Sequence, residues 1–314
     1  MPKVSICIPV YNVEQYIGRC LESIQRQSLE DIEIIVVNDC TPDKSMDIVR
    51  QYAAKDERIK IIENDGNQGL MVARRMGYIA ATGDYITFCD SDDTLPKGAL
   101  QALYKKAIEE NADIVSGVIE YVPITGKRYH WTNRLSYGTD KIAVFRSLLT
   151  DEFGHNLCSR LFCRELLQNY DYETYEKATN GEDGMLFYQV VDNASKIVTI
   201  EDVVYEYWQN MQSSSQVKLK DNALRSIALA NAMRVKIVGQ YSILQKYLDN
   251  RVSKSFWYFK LTNNDIDQYF LGVGLSKYCS LISLFKYQKA TNILRILVKM
   301  LILKVKVKYL NSSK

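Results

Sequence analysis

The first 120 residues alternate short apolar runs with segments of helical periodicity, and this pattern restricts the chain to few folds. Residues 4–10 have the composition of a strand buried on both faces. Apolar residues at helical spacing follow, which predicts a helix over residues 14–28. The alternation continues with strands predicted over residues 32–37, 59–62 and 85–89 and helices over 45–54, over 69–80 and from Pro96. Further along the chain, a strand predicted over residues 196–200 leads into an aromatic run at residues 205–208. We therefore predict an α/β fold with a mostly parallel, Rossmann-like sheet flanked by helices.

Polar clusters stand where three of the predicted strands end. They are residues 9–12 after the first strand, Asn38 and Asp39 after the second, and residues 90–93 (Asp-Ser-Asp-Asp) after the fourth. In open α/β sheets the ligand crevice lies beyond the carboxyl ends of the strands. The coincidence predicts a ligand site at that edge.

Composition and charge exclude several classes of protein. The 314 residues are 47% hydrophobic, and 40 basic residues nearly balance 37 acidic ones, so we expect a globular chain without a nucleic-acid partner. Seven scattered cysteines without a CxxC pair indicate neither a disulfide framework nor a zinc site and favour a reducing compartment. The amino-terminal residues lack the features of a signal peptide, so we expect a cytoplasmic catalytic body.

The carboxyl-terminal third differs from the rest. We predict three segments: a catalytic domain over residues 1–215, a helical region over 216–285 and a basic amphipathic tail over 286–314. Charges interrupt the apolar residues of the tail, so it does not resemble a transmembrane helix. It fits either a peripheral contact with anionic lipid at the inner face of the cell membrane or a helix packed on protein. The oligomeric state is not indicated.

The acidic residues at 90–93 suit a metal site. Three carboxylates within four residues repel one another unless a cation or water relieves them, and Mg²⁺ or Mn²⁺ prefers such oxygen ligands while leaving positions open for phosphate. The alternative is that these residues cap the helix predicted from Pro96.

Two further carboxylates have competing interpretations. Asp39 can accept hydrogen bonds from a ribose or base, or it can form the turn in which it lies. Asp183, beside Glu182, can be a general base, or the pair can be a helix amino terminus favoured by the helix dipole. The two histidines, His130 and His155, show no metal-ligand spacing and are interpreted as ordinary polar residues.

Several ordered motifs resemble the inverting family 2 glycosyltransferases of the GT-A fold, of the bacterial polysaccharide type. Over residues 4 to 214, the resemblance is carried by VSICIPVYN at 4–12, IIVVND at 34–39, NQGLMVAR at 67–74, GDYI at 83–86 leading into DSDD at 90–93, and GED at 181–183. It implies a metal-dependent hexosyltransferase that uses a nucleotide-diphosphate sugar, with a UDP-sugar expected. It also implies a saccharide or lipid-linked saccharide acceptor.

The resemblance also implies roles for single residues. Pro9, Tyr11, Asn12 and Asp39 would bind the nucleoside with Arg74 nearby. Asp90 would lie at the ribose and metal, and Asp92 would ligate the Mn²⁺ or Mg²⁺ that bridges the donor diphosphate. Asp183 would be the catalytic base. Departures from the family pattern at Asn38, Cys40, Arg75, Met76 and Gln209, and Arg160 where Lys is commoner, affect diphosphate and acceptor contacts.

Two alternative functions compete with this one. A nucleotidyltransferase would also combine an α/β sheet with metal-binding carboxylates, but its Gly-rich, basic opening loop is missing. A non-catalytic sugar-nucleotide-binding scaffold would bind nucleotide without turnover. The absence of GxGxxG and GxxxxGK[ST] motifs excludes simple dinucleotide-binding and P-loop proteins.

Overall fold

The computed structural model describes residues 1–167, 178, 181–210, 221–260 and 266–279. The chain divides into two compact units, Met1–Leu219 and Lys220–Lys314. The predicted segment boundaries stay predictions, and the tail over residues 286–314 lies outside the described residues. Within the described part, no helix is both long and apolar enough to cross a membrane.

The first unit contains an eight-stranded mixed sheet with flanking helices, as predicted. Its strands are β1 (Val4–Val10), β2 (Ile32–Asn38), β3 (Ile59–Glu63), β4 (Tyr85–Phe88), β5 (Ile114–Val122), β6 (Tyr129–Trp131), β7 (Arg160–Cys163) and β8 (Ile197–Trp208). Its helices are α1 (Ile17–Gln25), α2 (Ser45–Ala53), α3 (Leu70–Ala80), α4 (Ala99–Glu110), α5 (Lys141–Leu149) and α6 (Glu182–Asn193).

The strand order β3-β2-β1-β4-β7-β5-β6 places three fully buried strands, β2, β1 and β4, side by side. Strands β1 to β4 pair in parallel, β7 pairs antiparallel with β4 and β5, and β8 pairs in parallel with β5. Strands β1, β2, β4, β5 and β8 therefore point the same way. Their carboxyl ends form one edge of the sheet.

Three local predictions were wrong at their boundaries. Helix α1 begins at Ile17, because the amide groups of residues 12–14 instead donate to side chains of the segment that leads into α2. Helix α4 begins at Ala99 and not at Pro96, since Gly98 adopts a left-handed conformation with φ of 85°. The strand predicted over residues 196–200 and the aromatic run after it form a single strand, β8.

The described part of the second unit contains the helices α7 (Asp221–Val238), α8 (Gln245–Lys260) and α9 (Ile266–Gly272). Phe256 of α8 packs edge-on against Phe270 of α9 with ring centroids 5.1 Å apart. The carboxylate of Asp249 accepts hydrogen bonds from Tyr278 at 2.6 Å and Lys277 at 3.0 Å. Helical character after residue 222 agrees with the prediction.

Candidate active site

Two of the carboxylates predicted to carry chemistry, Asp90 and Asp183, meet at a buried arginine. Arg74 lies on the sheet-facing side of α3, where its side chain is 2% exposed. Its Nη2 donates to Asp90 Oδ1 at 2.8 Å, and its Nη1 donates to Asp183 Oδ1 at 2.5 Å. The structure thus joins three predicted residues that are separated by up to 109 positions in the chain.

The electrostatics of Arg74 follow from this contact. Burial opposes its charge, but the charges of Asp183 and Asp90 outweigh burial and raise its pKa well above the usual arginine value. The guanidinium therefore stays cationic and can offset two carboxylates at once. Its Nε atom is buried and has no hydrogen-bond partner among the described residues.

Asp183 lies in the first turn of α6, so the helix dipole favours its negative charge. Its second oxygen accepts a hydrogen bond from the amide of Leu157 at 3.3 Å. The side chain is 23% exposed, which leaves it accessible to a substrate hydroxyl. Both interpretations of this residue, helix terminus and general base, are compatible with this placement.

Glu182 differs from its neighbour. Its Oε2 atom is buried without a hydrogen-bond partner in the described part of the chain. Burial, followed by the charge of Asp183, raises the pKa of Glu182 to about 7. Part of the Glu182 carboxyl group is therefore protonated near neutral pH.

The three carboxylates of the loop after β4 differ in burial and in their hydrogen-bond partners. Asp93 is 1% exposed, and its two oxygens accept hydrogen bonds from the Tyr205 hydroxyl at 2.7 Å and the Trp208 amide at 2.8 Å. Asp92 accepts one hydrogen bond from Asn210 at 3.0 Å. The alternative that these residues cap α4 is wrong, because the amino terminus of α4 has no side-chain cap.

Asp92 and Asp90 suit a divalent cation. Burial and the charge of Asp90 raise the pKa of Asp92, and a cation would relieve both effects. In the described part of the chain, no group of three or more His, Cys, Asp and Glu residues is placed to hold a metal ion by itself. Mg²⁺ is commonly bound by one or two protein carboxylates together with phosphate oxygens and water, so Asp90 and Asp92 would supply enough protein ligands.

The residues predicted to bind the nucleoside lie at the same sheet edge. Pro9 is buried near the end of β1, and Tyr11 just beyond it is 47% exposed. Asn12 has a φ of 57°, and its amide donates to Thr41 Oγ1 at 2.7 Å. Asp39 is 3% exposed.

Asp39 has a structural role that neither interpretation foresaw. One of its oxygens accepts hydrogen bonds from the Asn64 side chain at 2.9 Å and the Gln68 amide at 2.8 Å. The other oxygen accepts one from the Gly69 amide at 2.8 Å. Asp39 therefore fixes the segment that leads into α3, and through it the position of Arg74.

Sequence reasoning missed the supports around the acidic loop. Arg19 of α1 donates to the backbone oxygen of Asp92 at 2.7 Å and stacks on the Trp208 ring, 4.0 Å from its centroid. Tyr205 also accepts a hydrogen bond from the Asp90 amide at 3.1 Å. The only signal in the sequence was the aromatic run at residues 205–208.

The remaining candidates lie beside this group. Arg160 is fully buried between Phe153 and Phe187, and burial lowers its pKa to about 9. His130 is exposed and lies 3.4 Å from Glu120. His155 packs against Gly184, next to Asp183, where an added Cβ would lie 3.3 Å from the imidazole.

Comparisons with known proteins identify the family and the fold. Residues 5–171 match the family model described as glycosyl transferase family 2. The uncharacterized glycosyltransferase EpsJ of Bacillus subtilis is 33% identical over 232 residues, and the match covers 70% of this chain and 65% of that protein. The chain therefore spans just under two thirds of that relative's length.

Two solved structures share the fold. S. aureus TarS in complex with UDP-GlcNAc has a TM-score of 0.66 at 19% identity, covering 90% of this chain and 83% of that one. The mannosyltransferase PcManGT from Pyrobaculum calidifontis, in complex with GDP-Man and Mn²⁺, has a TM-score of 0.53 at 15% identity, covering 96% and 87%. At such identities the likeness establishes the GT-A fold.

Proposed function

The chain belongs to glycosyl transferase family 2, and we propose that it transfers a sugar from a UDP-sugar to a saccharide hydroxyl with inversion at the anomeric carbon. The observation that carries this proposal is the double contact of Arg74 with Asp90 and Asp183. It places a carboxylate of the acidic loop and a candidate base on the same guanidinium. The complex of the TarS neighbour with UDP-GlcNAc supports the choice of a UDP-sugar as donor.

In the proposed reaction Asp183 is the catalytic base. The acceptor oxygen attacks the anomeric carbon while Asp183 takes the hydroxyl proton, and the bond from that carbon to the diphosphate breaks. Arg74 orients Asp183 through the Nη1 contact, and the Leu157 amide fixes its second oxygen. The nucleoside diphosphate leaves from the opposite side, so the configuration inverts.

The donor would be held at the carboxyl edge of the sheet. Pro9, Tyr11, Asn12 and Asp39 would surround the nucleoside, and the exposed Tyr11 ring can stack on a base. Asp92, with Asp90, would hold a Mn²⁺ or Mg²⁺ ion, which when bound neutralises charge on the leaving diphosphate. The complex of the PcManGT neighbour with GDP-Man and Mn²⁺ supports this.

The test is release of UDP from a panel of UDP-sugars with Mn²⁺ or Mg²⁺. We expect turnover of one donor, abolished by chelation and reduced about 100-fold or more in Asp92→Ala, because the diphosphate loses its metal-mediated contact. Asp47→Ala is the matched control, since that aspartate is 68% exposed on α2. Metal-independent turnover, or full activity of Asp92→Ala, would contradict the proposal. Release of pyrophosphate from a nucleoside triphosphate would indicate a nucleotidyltransferase instead.

We place the reaction at the cytoplasmic face of the cell membrane, with a lipid-linked saccharide as acceptor in cell-surface polysaccharide synthesis. The support is the basic composition of residues 286–314, which suits anionic lipid. Co-sedimentation with anionic vesicles tests this placement. The full chain should sediment with the vesicles and a chain ending at residue 285 should not; equal sedimentation of both would contradict it.

A further inference from the structure

A row of aromatic side chains crosses three strands on one face of the sheet. Tyr121 of β5 pairs in register with Tyr129 of β6 and with Tyr207 of β8. The Tyr121 ring centroid lies 4.6 Å from that of Tyr129 and 5.5 Å from that of Tyr207, with interplanar angles of 21° and 23°. Trp131 lies two residues from Tyr129 and so on the same face. We call these four residues the aromatic row.

The outer end of the aromatic row is open to solvent. Tyr129 and Trp131 are 55% and 56% exposed, although aromatic side chains of this size usually bury most of their surface. Cross-strand stacking explains Tyr121. It does not explain Trp131, which pairs with the buried Ile119. Exposed aromatic clusters of this kind mark binding surfaces.

The aromatic row is continuous with the candidate active site. Tyr121 and Tyr207 each stand one residue before the end of their strands, at the edge of the sheet where the acidic loop lies. The amide of the next residue, Trp208, donates to Asp93 at 2.8 Å. The row therefore begins beside the acidic loop and leads outward to the edge strand β6.

The ion pairs of these strands lie on the opposite face of the sheet, because their members stand one residue from those of the row. There Arg128 lies 2.7 Å from Glu120 and 3.2 Å from Glu206, and His130 lies 3.4 Å from Glu120. The four members of the aromatic row itself carry no charge, so the row does not select a lipid headgroup or a polyanion. Ring faces together with phenol hydroxyls instead suit a neutral polyhydroxy ligand, whose C–H faces stack on aromatic rings while its hydroxyls form hydrogen bonds.

We propose that the aromatic row is a docking surface for the acceptor saccharide, specifically for a chain of pyranose rings with equatorial hydroxyls. The acceptor role rests on the proposed function. The row would bind sugar units behind the reacting end and so hold the terminal hydroxyl toward Asp183.

Saturation-transfer NMR with cellohexaose and chitohexaose tests the proposal, because both present C–H faces of this kind. We expect transfer from aromatic protons to the ring protons of at least one hexasaccharide at millimolar concentration. In a Tyr129→Ala/Trp131→Ala double variant the binding should weaken about tenfold. A Tyr129→Phe/Trp131→Phe variant should retain it, and Tyr258→Ala, which removes a tyrosine 59% exposed in the second unit, should leave it unchanged.

Absence of transfer from the wild type to either sugar, or equal binding by a folded double alanine variant, would overturn the proposal. Circular dichroism and thermal unfolding confirm the fold of each variant. Release of UDP without acceptor separates this proposal from the proposed function. That release should be unchanged in the double alanine variant, whereas a failed proposed function would remove it from every variant and leave saccharide binding measurable.

Discussion

At the residue scale, the guanidinium of Arg74 is 2% exposed and bonded to carboxylates from two distant parts of the chain. Sequence reasoning selected Arg74 from a motif but placed it near the nucleoside. Its partners were not predictable, because helical periodicity gives the buried face of α3 and not the loops that pack over it. The motif at residues 181–183 made Asp183 a candidate site residue, while its ion pair with Arg74 required the tertiary structure.

Replacing Arg74 tests whether activity and stability require both of its ion pairs, one with Asp90 and one with Asp183. In Arg74→Lys a single ammonium cannot contact Asp90 and Asp183 in the same way, so we expect kcat/KM to fall about 100-fold and stability to fall by about 2 kcal/mol. UDP release and urea unfolding measure the two effects. Arg50→Lys is the control, since Arg50 is 55% exposed. An active, equally stable Arg74→Lys enzyme would show that the ion pairs are incidental.

Glu182 predicts a dependence of stability on pH. Its pKa is raised to about 7 in the folded chain, above the usual value near 4.5, so its protonated form favours folding. This contribution is complete below the unfolded pKa and is lost as pH rises through 7. Glu182→Gln cannot ionise, and we expect its Tm to exceed that of wild type by a margin that grows between pH 5 and pH 8. A Tm difference that stays constant between pH 5 and pH 8, or that the exposed control Glu57→Gln also shows, would contradict the assignment of this pH dependence to Glu182.

At the scale of elements, Glu33 of β2 connects β1, β3 and the turn before β4 at the edge of the sheet opposite the candidate site. Its Oε1 accepts hydrogen bonds from Ser5 Oγ and the Thr82 amide, both at 2.6 Å, and from the Gly83 amide at 3.1 Å. Its Oε2 lies 2.5 Å from Lys60. Burial opposes ionisation, but the hydrogen bonds from Lys60, Ser5 and Thr82 lower the pKa of Glu33 to about 2.

The lowered pKa of Glu33 makes its contribution to the free energy of unfolding depend on pH in the acid range. A lowered pKa contributes stability above the unfolded value near 4.5, which is lost as pH falls toward 2. Glu33→Gln should therefore be less stable than wild type by about 2 kcal/mol at pH 7, with the difference shrinking below pH 4.5. Denaturant unfolding across this range measures it. The exposed Glu30→Gln should show no such change, and a pH-independent loss in Glu33→Gln would point to packing instead.

The order and type of the first elements were predictable because apolar periodicity differs between strands and helices. The element boundaries that were predicted wrongly depend on contacts between segments distant in the sequence. The amides before α1 bond to Thr41, Asp43 and Ser45 of another segment, and nothing local to residues 14–16 signals this. The length of β8 was missed because its second half is held by pairing with β5.

At the scale of the whole molecule, the candidate site is assembled from segments that lie far apart in the sequence of the first unit. The sheet brings the loop at residues 90–93 to its carboxyl edge, and α6 brings Asp183 from a segment far along the chain. The common edge of the parallel strands was predictable from their order. The supports from Arg19, Tyr205 and Trp208 were not, since each joins segments more than 70 residues apart.

The central claim is that Asp183 removes the acceptor proton at a donor site built around the acidic loop. The most direct measurement compares UDP-sugar binding by calorimetry with sugar transfer to acceptor for Asp183→Asn and wild type. We predict that Asp183→Asn binds donor within about threefold of wild type and loses about 1000-fold or more in transfer rate. Transfer within tenfold of wild type by a folded Asp183→Asn variant would contradict the account, because the base would then lie elsewhere.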